Sequence, residues 1–314
     1  MSLHQLVSVT IGVPNVSETA GYYAEFGLTP LGDGRFATVD AGEQLRLVQT
    51  PIRRLVEITI GADDPDDISR IAGKLRSLDL PAMASEEVVT TVEPIAGFRA
   101  NIVVRPRRRQ ARAEATPYNG PGRIERESSR APGIDRTGPV RPLNLGHVVL
   151  GSTDQKATQR FFTDGLGLKI SDEVSGRAAF LRCSSDHHNV LVQQAPLNFL
   201  HHTAWQVSDI DEIGRGATAL LARDPTRHVW GLGRHYVGSN FFWYLKDPAG
   251  NFSEYYSDLD CIVDDALWKP GVWEGVKGLY SWGPPPPPSF LKPEDFAALM
   301  TGAHSPGSLP GTPA

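Results

Sequence analysis

In the opening segment LVSVTIGV, positions 6–13, apolar residues alternate with polar or small ones from Val7 onward. That period of two predicts a strand with one buried face. The next run, positions 17–26, changes to a helical period and stops at Gly27, a residue suited to the left-handed turn that closes a helix. Short alternating runs follow in RFATVD and EQLRLVQ. The same order of elements recurs three times. It begins again at LVEITIGADDPDDISRIAGKLRSLDLP, at LNLGHVVLGSTDQKATQRFFTDGLGLKI, and at LHHTAWQVSDIDEIGRGATALLARD. Each repeat reads as a strand, a polar turn, a helix and further strands. One such unit is too small to cover its own sheet face, so units must pair. The pattern predicts an α+β fold of four βαβββ modules, paired into two domains of curved mixed β-sheet.

Composition shifts mark the boundaries. Positions 1–104 form an N-terminal domain in this reading and 142–283 a C-terminal one. Between them, 105–141 is an Arg/Pro/Gly-rich linker with little apolar periodicity. Its run Arg107–Arg108–Arg109 suits either a phosphate-binding patch or a solvated linker, and the second is favoured because no nucleic-acid motif accompanies it. Positions 284–314 carry the run Pro284 to Pro288 and a Pro/Gly/Ser tail. A rigid surface strap near Trp273 and Trp282 is expected from the proline run, and disorder from about Gly302.

With 31 basic and 36 acidic side chains, the net charge is −5, which gives no global drive toward nucleic acid. No apolar run approaches the roughly 20 residues of a membrane span. The N-terminus shows no signal-peptide pattern. Two distant cysteines, Cys183 and Cys261, fit a reduced cytoplasmic setting without calling for a disulfide.

Seven of the nine histidines fall between His147 and His235. His147 in LGHVVL, a histidine of the doublet His201–His202 in LHHTAWQV, and Glu254 in NFSEYYSD stand on three separate predicted strands. Two imidazoles and one carboxylate are the ligand set of a facial iron(II) site, with the opposite face open. Strand alternation puts His201 and His202 on opposite faces, so one of the pair is expected to face away from the site. Aligning the modules places Ser8 at the position of His147, Glu57 at that of His202 and Asn101 at that of Glu254. The N-terminal copy is therefore expected to hold no metal this way.

The motifs GHVVL, SSDHHNVLV, FLHHTAWQV, GLGRHYVGSNFFWY and DPAGNFSEYY, in this order and spacing, resemble those of the type I extradiol ring-cleavage dioxygenases of the vicinal oxygen chelate superfamily. The resemblance is strongest over positions 145–258 and weaker over the N-terminal half. It implies the vicinal oxygen chelate fold, an Fe(II) cofactor on His147, His202 and Glu254, and cleavage of a catechol-type or trihydroxylated ring with O2. It selects His202 over His201. By the same resemblance His188 is the acid/base histidine, with His187 a structural neighbour on the other face. His235 hydrogen-bonds the substrate or the reacting oxygen, and Tyr244 a substrate hydroxylate. Phe180 is a ring-facing wall by family match. Val148 and Trp205 are expected beside it from their proximity to ligands. The family often has an acid three positions after the histidine matched by His235, where this chain has Gly238. Ser239 and Asn240 are polar candidates for its place, and Asn240 is expected among the substrate-contacting residues. Two other classes remain open: a glyoxalase-type isomerase, which usually adds a second carboxylate to the metal, and a metal-free small-molecule binding module. Homo-oligomerisation is what the family implies.

Overall fold

A computed structural model describes residues 3–292, 294–296 and 299. The expected disorder from Gly302 lies outside the described residues. The first sheet holds β1 (Leu3–Val13), β2 (Thr29–Gly32), β3 (Arg35–Thr38), β4 (Gly42–Gln49), β5 (Arg54–Ala62), β6 (Met83–Ala84), β7 (Val88–Val92) and β8 (Arg99–Val104), in the order β2-β3-β4-β1-β5-β8-β7-β6. The second holds β9 (Asn144–Ser152), β10 (Lys169–Val174), β11 (Ala178–Arg182), β12 (Val190–Gln194), β13 (Phe199–Gln206), β14 (His228–Arg234), β15 (Phe241–Lys246), β16 (Phe252–Ser257) and β17 (Val272–Trp273), in the order β14-β15-β16-β13-β9-β12-β11-β10-β17. In both sheets the opening strands of two modules pair antiparallel at the centre, and each module's remaining strands extend outward. The α+β architecture of paired modules read from the sequence is the one observed.

Local chemistry starts the helices. Asp64 accepts from the Asp67 amide ahead of helix Pro65–Ser77, and Asp209 does the same for Glu212 ahead of helix Ile210–Arg223. Each such cap contributes about 1 kcal/mol. The helices bury Ile68, Ile71 and Leu75, and Ile213, Ala217 and Leu220, at helical spacing against the sheets. The first helix, Val16–Glu25, ends at Gly27 with φ +99°, as its sequence predicts. A Cβ at Gly27 would meet the Val140 carbonyl, so the position admits only glycine.

Strand register makes the two halves directly comparable. Ser8 pairs with Thr59, and Thr59 with Asn101. In the second sheet His147 pairs with Ala204, and Ala204 with Glu254. Ser8 and Asn101 thus occupy the places of His147 and Glu254. Glu57, two residues before Thr59, occupies that of His202. Glu57 is engaged by Arg99 at 3.2 Å, and Asn101 accepts from Thr90 at 2.8 Å.

The halves share one apolar core. Tyr255 on β16 stacks on Phe26 at 3.9 Å, and its hydroxyl donates to the Phe26 carbonyl. The Arg53 side chain, wholly buried, crosses from the first half. It donates to the Leu200 carbonyl at 2.6 Å, to Asn251 at 3.2 Å and to both oxygens of Asp295.

The segment 105–141 runs along the surface, tied to both halves. Arg107 pairs with Asp63, and Arg136 with Asp209 and Glu212. Arg107 is thereby committed to an internal ion pair rather than to a phosphate patch. The proline run packs differently from expectation. Trp230 donates to the Pro284 carbonyl at 2.7 Å, and the run delivers Phe290 onto Trp230, Tyr244 and His201. Trp273 instead pairs with Tyr236. An aromatic cluster beneath the run, rather than a lone tryptophan, offers the larger apolar area to cover. Both cysteines are free thiols.

Candidate metal centre

Three adjacent strands at the centre of the second sheet carry the site. His147 projects from β9, His202 from β13 and Glu254 from β16, and all three side chains are buried. Their ligand-type atoms lie within 4.8 Å of one another, the one such group among the described residues. Glu254 Oε2 stands 3.1 Å from His147 Nε2 and 3.4 Å from His202 Nε2. Three ligands at right angles, each roughly 2.1 Å from an ion, stand about 3 Å apart. His202 Nε2 has no hydrogen-bond partner despite its burial, which is costly unless something else satisfies it. The residues present therefore fit a divalent ion.

Electrostatics agree with that fit. Burial alone pushes the Glu254 carboxyl up, but the contact with His147 and the close approach of the His202 ring outweigh it and hold the group below the usual carboxylate range. Desolvation takes His202 down to about 4, partly offset by Glu254. An ionised carboxylate and a neutral imidazole are the forms that bind metals. The other carboxylate oxygen, Oε1, accepts from Asn240 Nδ2 at 3.0 Å.

His147 and His202 of the metal group line a cavity of about 800 Å³ walled by Val149, Phe180, Leu191, Val237, Leu279 and Phe290. That volume suits a small aromatic ligand. His188, His235 and Tyr244 also face it. His188 lies 4.2 Å from His147, ring centre to ring centre, and its pKa is driven far down by desolvation and by neighbouring histidines. His235 Nδ1 donates to the Leu279 carbonyl at 2.5 Å, which leaves Nε2 bare to accept from the Tyr244 hydroxyl at 2.8 Å. Burial, then Glu254, pushes the Tyr244 phenol well up, so it stays a donor.

Several expected positions are corrected. Val148 and Trp205 face the apolar core, not the cavity, because alternation gives the cavity face to His147 and Val149. Asn240 supports Glu254 and is not among the cavity walls. His201 shares the cavity side with His202. A register shift between Leu200 and His202 in the β9–β13 pairing breaks the alternation there. The acid absent at Gly238 is replaced by the Leu279 backbone carbonyl, since neither Ser239, bonded to Asp260, nor Asn240 orients the His235 ring. Gly238 itself has φ +85°, and a Cβ there would crowd Leu259 and the two rings of His187 and His188. Sequence reasoning missed Leu279 and Phe290, because backbone carbonyls and a distant apolar residue carry no motif.

Residues 144–255 match the family described as the Glyoxalase/Bleomycin resistance protein/Dioxygenase superfamily. Over 306 residues the chain is 28% identical to Metapyrocatechase 2 of Cupriavidus necator, covering 93% of this chain and 92% of that one. Two relatives match over about half of their own length or less. An iron-dependent extradiol dioxygenase of Rhodococcus jostii is 31% identical over 139 residues (40% of this chain, 46% of that one). A manganese-dependent 2,3-dihydroxybiphenyl 1,2-dioxygenase of Geobacillus genomosp. 3 is 28% identical over 157 residues (46% and 50%). The fold matches the Mn(II)-bound glyoxalase of Novosphingobium aromaticivorans with a TM-score of 0.72 at 24% identity, over 91% of this chain and 93% of that one. With its paired modules and buried His–His–Glu group, the chain is similar over nearly its whole length to a metapyrocatechase, and its residues 144–255 match the Glyoxalase/Bleomycin resistance protein/Dioxygenase superfamily.

Proposed function

We propose that this protein is an iron(II)-dependent enzyme that opens a catechol-type or trihydroxylated aromatic ring beside its hydroxyl-bearing carbons, using O2. The observation that carries the reading is the buried His147–His202–Glu254 group, with its unpartnered His202 Nε2, whose two histidines open onto a largely apolar cavity lined by acid/base groups. A two-histidine, one-carboxylate set with an open face suits iron(II) oxygen chemistry. The bound ion would supply a redox-active Lewis acid open to two substrate oxygens and dioxygen. The remaining work falls to this chain's own residues. Phe180 and Val149 press on the faces of a planar ring and exclude water. His188 is placed to take a hydroxyl proton and return it later. Tyr244, aligned by His235, presents its remaining oxygen lone pair to a substrate hydroxyl. Asn240 holds the Glu254 carboxylate in orientation.

The glyoxalase-type reading has the likeness to a glyoxalase structure in its favour. Among the described residues, however, no second carboxylate joins the metal group. No described helix is long and apolar enough to cross a membrane. We place the enzyme in the cytoplasm as a homo-oligomer acting on free small molecules, a setting that the two unpaired thiols suit.

The test is anaerobic reconstitution with iron(II), and separately with manganese(II), followed by oxygen and a panel of catechols and trihydroxybenzenes. A yellow ring-opened product with matching oxygen uptake is expected from the iron form. Full metal occupancy without turnover across the panel refutes the dioxygenase reading, and turnover by the manganese form alone refutes the iron assignment.

A further inference from the structure

The doublet His201–His202 is unusual in geometry. The bulge after Leu200 turns both rings to one side of β13, and their Nδ1 atoms approach to 2.7 Å. The second ring nitrogen of His201, Nε2, lies 2.7 Å from the Phe290 carbonyl. A carbonyl can only accept, so His201 Nε2 carries a proton and donates it. His201 is 3% exposed, and its ring nitrogens meet only the Phe290 carbonyl and the His202 ring, with no carboxylate among the described residues in contact to balance a charge, so the ring is neutral. A neutral imidazole with its proton on Nε2 has a bare Nδ1. That atom can therefore only accept. The 2.7 Å contact needs a donor, and the donor must be His202 Nδ1–H. His202 Nε2 is then left unprotonated, facing Glu254 Oε2 with no hydrogen bond.

We propose that His201 is a positioning residue that sets the tautomer of the ligand His202, by relaying the direction of a hydrogen bond from the Phe290 backbone carbonyl. The inference rests on the metal reading of the site for its consequence, though the proton placement stands without it. It brings a backbone atom of the C-terminal segment, 88 residues after His202 in sequence, into the support of the centre. His147 has no such support, since its Nδ1 lacks any hydrogen-bond partner among the described residues. The second doublet, His187–His188, shows a similar Nδ1 contact at 3.1 Å but ends on the Asp172 carboxylate. A carboxylate can hold a charged or a neutral His187, so geometry there does not decide the proton's direction, and the proposal is confined to His201.

The first measurement is made on the full-length protein without metal, labelled with [15N]histidine, by long-range 1H–15N correlation of the imidazole nitrogens. Resonances are assigned by single-histidine variants. His202 is expected as the Nδ1–H tautomer and His201 as Nε2–H, and an Nε2–H tautomer at His202 overturns the proposal. The second measurement compares iron(II) and manganese(II) dissociation constants by anaerobic chelator competition for His201→Asn, His201→Gln and His201→Leu. An asparagine oxygen stands where Nδ1 stood and can still accept from His202. A glutamine amide reaches the Phe290 carbonyl but leaves Nδ1 unreplaced. Loss of a group that orients a ligand weakens metal binding by roughly 10–100-fold. The leucine and glutamine variants should show that loss, and the asparagine variant should stay close to the wild type. The opposite order, or equal loss in all three, overturns the relay in favour of simple docking of the C-terminal segment. An Nδ1–H proton at His202 in a protein that binds neither ion upholds the relay and rejects the metal reading instead.

Discussion

Replacing Arg53 with methionine tests how strongly the first half braces the site in the second. Methionine keeps the apolar stem and removes every donor. Three acceptors lose that partner: the Leu200 carbonyl, Asn251 Oδ1 and the Asp295 carboxylate. Removing one member of a buried ion pair costs about 3–5 kcal/mol. The Asp295 side chain is 17% exposed, so water relieves part of its loss. The other two acceptors, the Leu200 carbonyl and the Asn251 side-chain oxygen, each cost roughly 1–3 kcal/mol when that donor is lost. These figures overlap, and about 3 kcal/mol is the expected total, which lowers the unfolding midpoint by roughly 5–10 °C. The assay is thermal and urea unfolding of metal-free wild type, Arg53→Met, Asp295→Asn and the double variant. If the carboxylate's lost guanidinium is the main cost, the double variant regains part of the loss, with a coupling above about 1 kcal/mol. A midpoint shift under roughly 2 °C for Arg53→Met, or coupling near zero, refutes the account of Arg53 as a buried brace.

Two further predictions follow from which way side chains face. Val148→Ala should cost about 2 kcal/mol of stability through a core cavity and leave the KM for a catechol unchanged, whereas Val149→Ala should shift KM with the smaller stability loss. Unfolding curves set beside steady-state kinetics check this, and the reverse pattern means the cavity face is misassigned. Burial raises the Asp247 carboxyl to about 6, from an ordinary 3.8. Between those values the folded protein holds a proton that the unfolded chain has released, so this group's contribution falls as pH rises from about 4 to 6, by about 3 kcal/mol at most. The difference in unfolding free energy between wild type and Asp247→Asn should therefore slope across that window and flatten above it. A level difference from pH 4 to 7 would show that Asp247 is ionised throughout.

Much of the architecture was legible in the chain because it rests on local and periodic signals. Alternation at 6–13 and Gly27 at a helix end each act within a few positions of themselves. The repeat of that pattern predicted the paired modules, and the strand register of Ser8, Glu57 and Asn101 bears out the internal comparison with His147, His202 and Glu254. What failed were inferences that treated a strand as ideal or nearness in sequence as nearness in space. Val148 and Trp205 lie one and three positions after ligands yet face the core, since odd offsets along a strand point to opposite faces. His201 breaks that same rule, because one extra residue in a ladder turns two consecutive side chains to one side.

By itself, then, the sequence determined the module fold and the ligand types that stand on three strands. It also determined that the N-terminal copy has neither histidine at the equivalent positions. Only the tertiary structure decided which atoms support them. The Leu279 and Phe290 carbonyls, the Arg53 brace and the bulge at His201 depend on backbone atoms and long-range approach. Every residue has a carbonyl, so which one reaches a buried ring is set by packing and carries no signature in residue type.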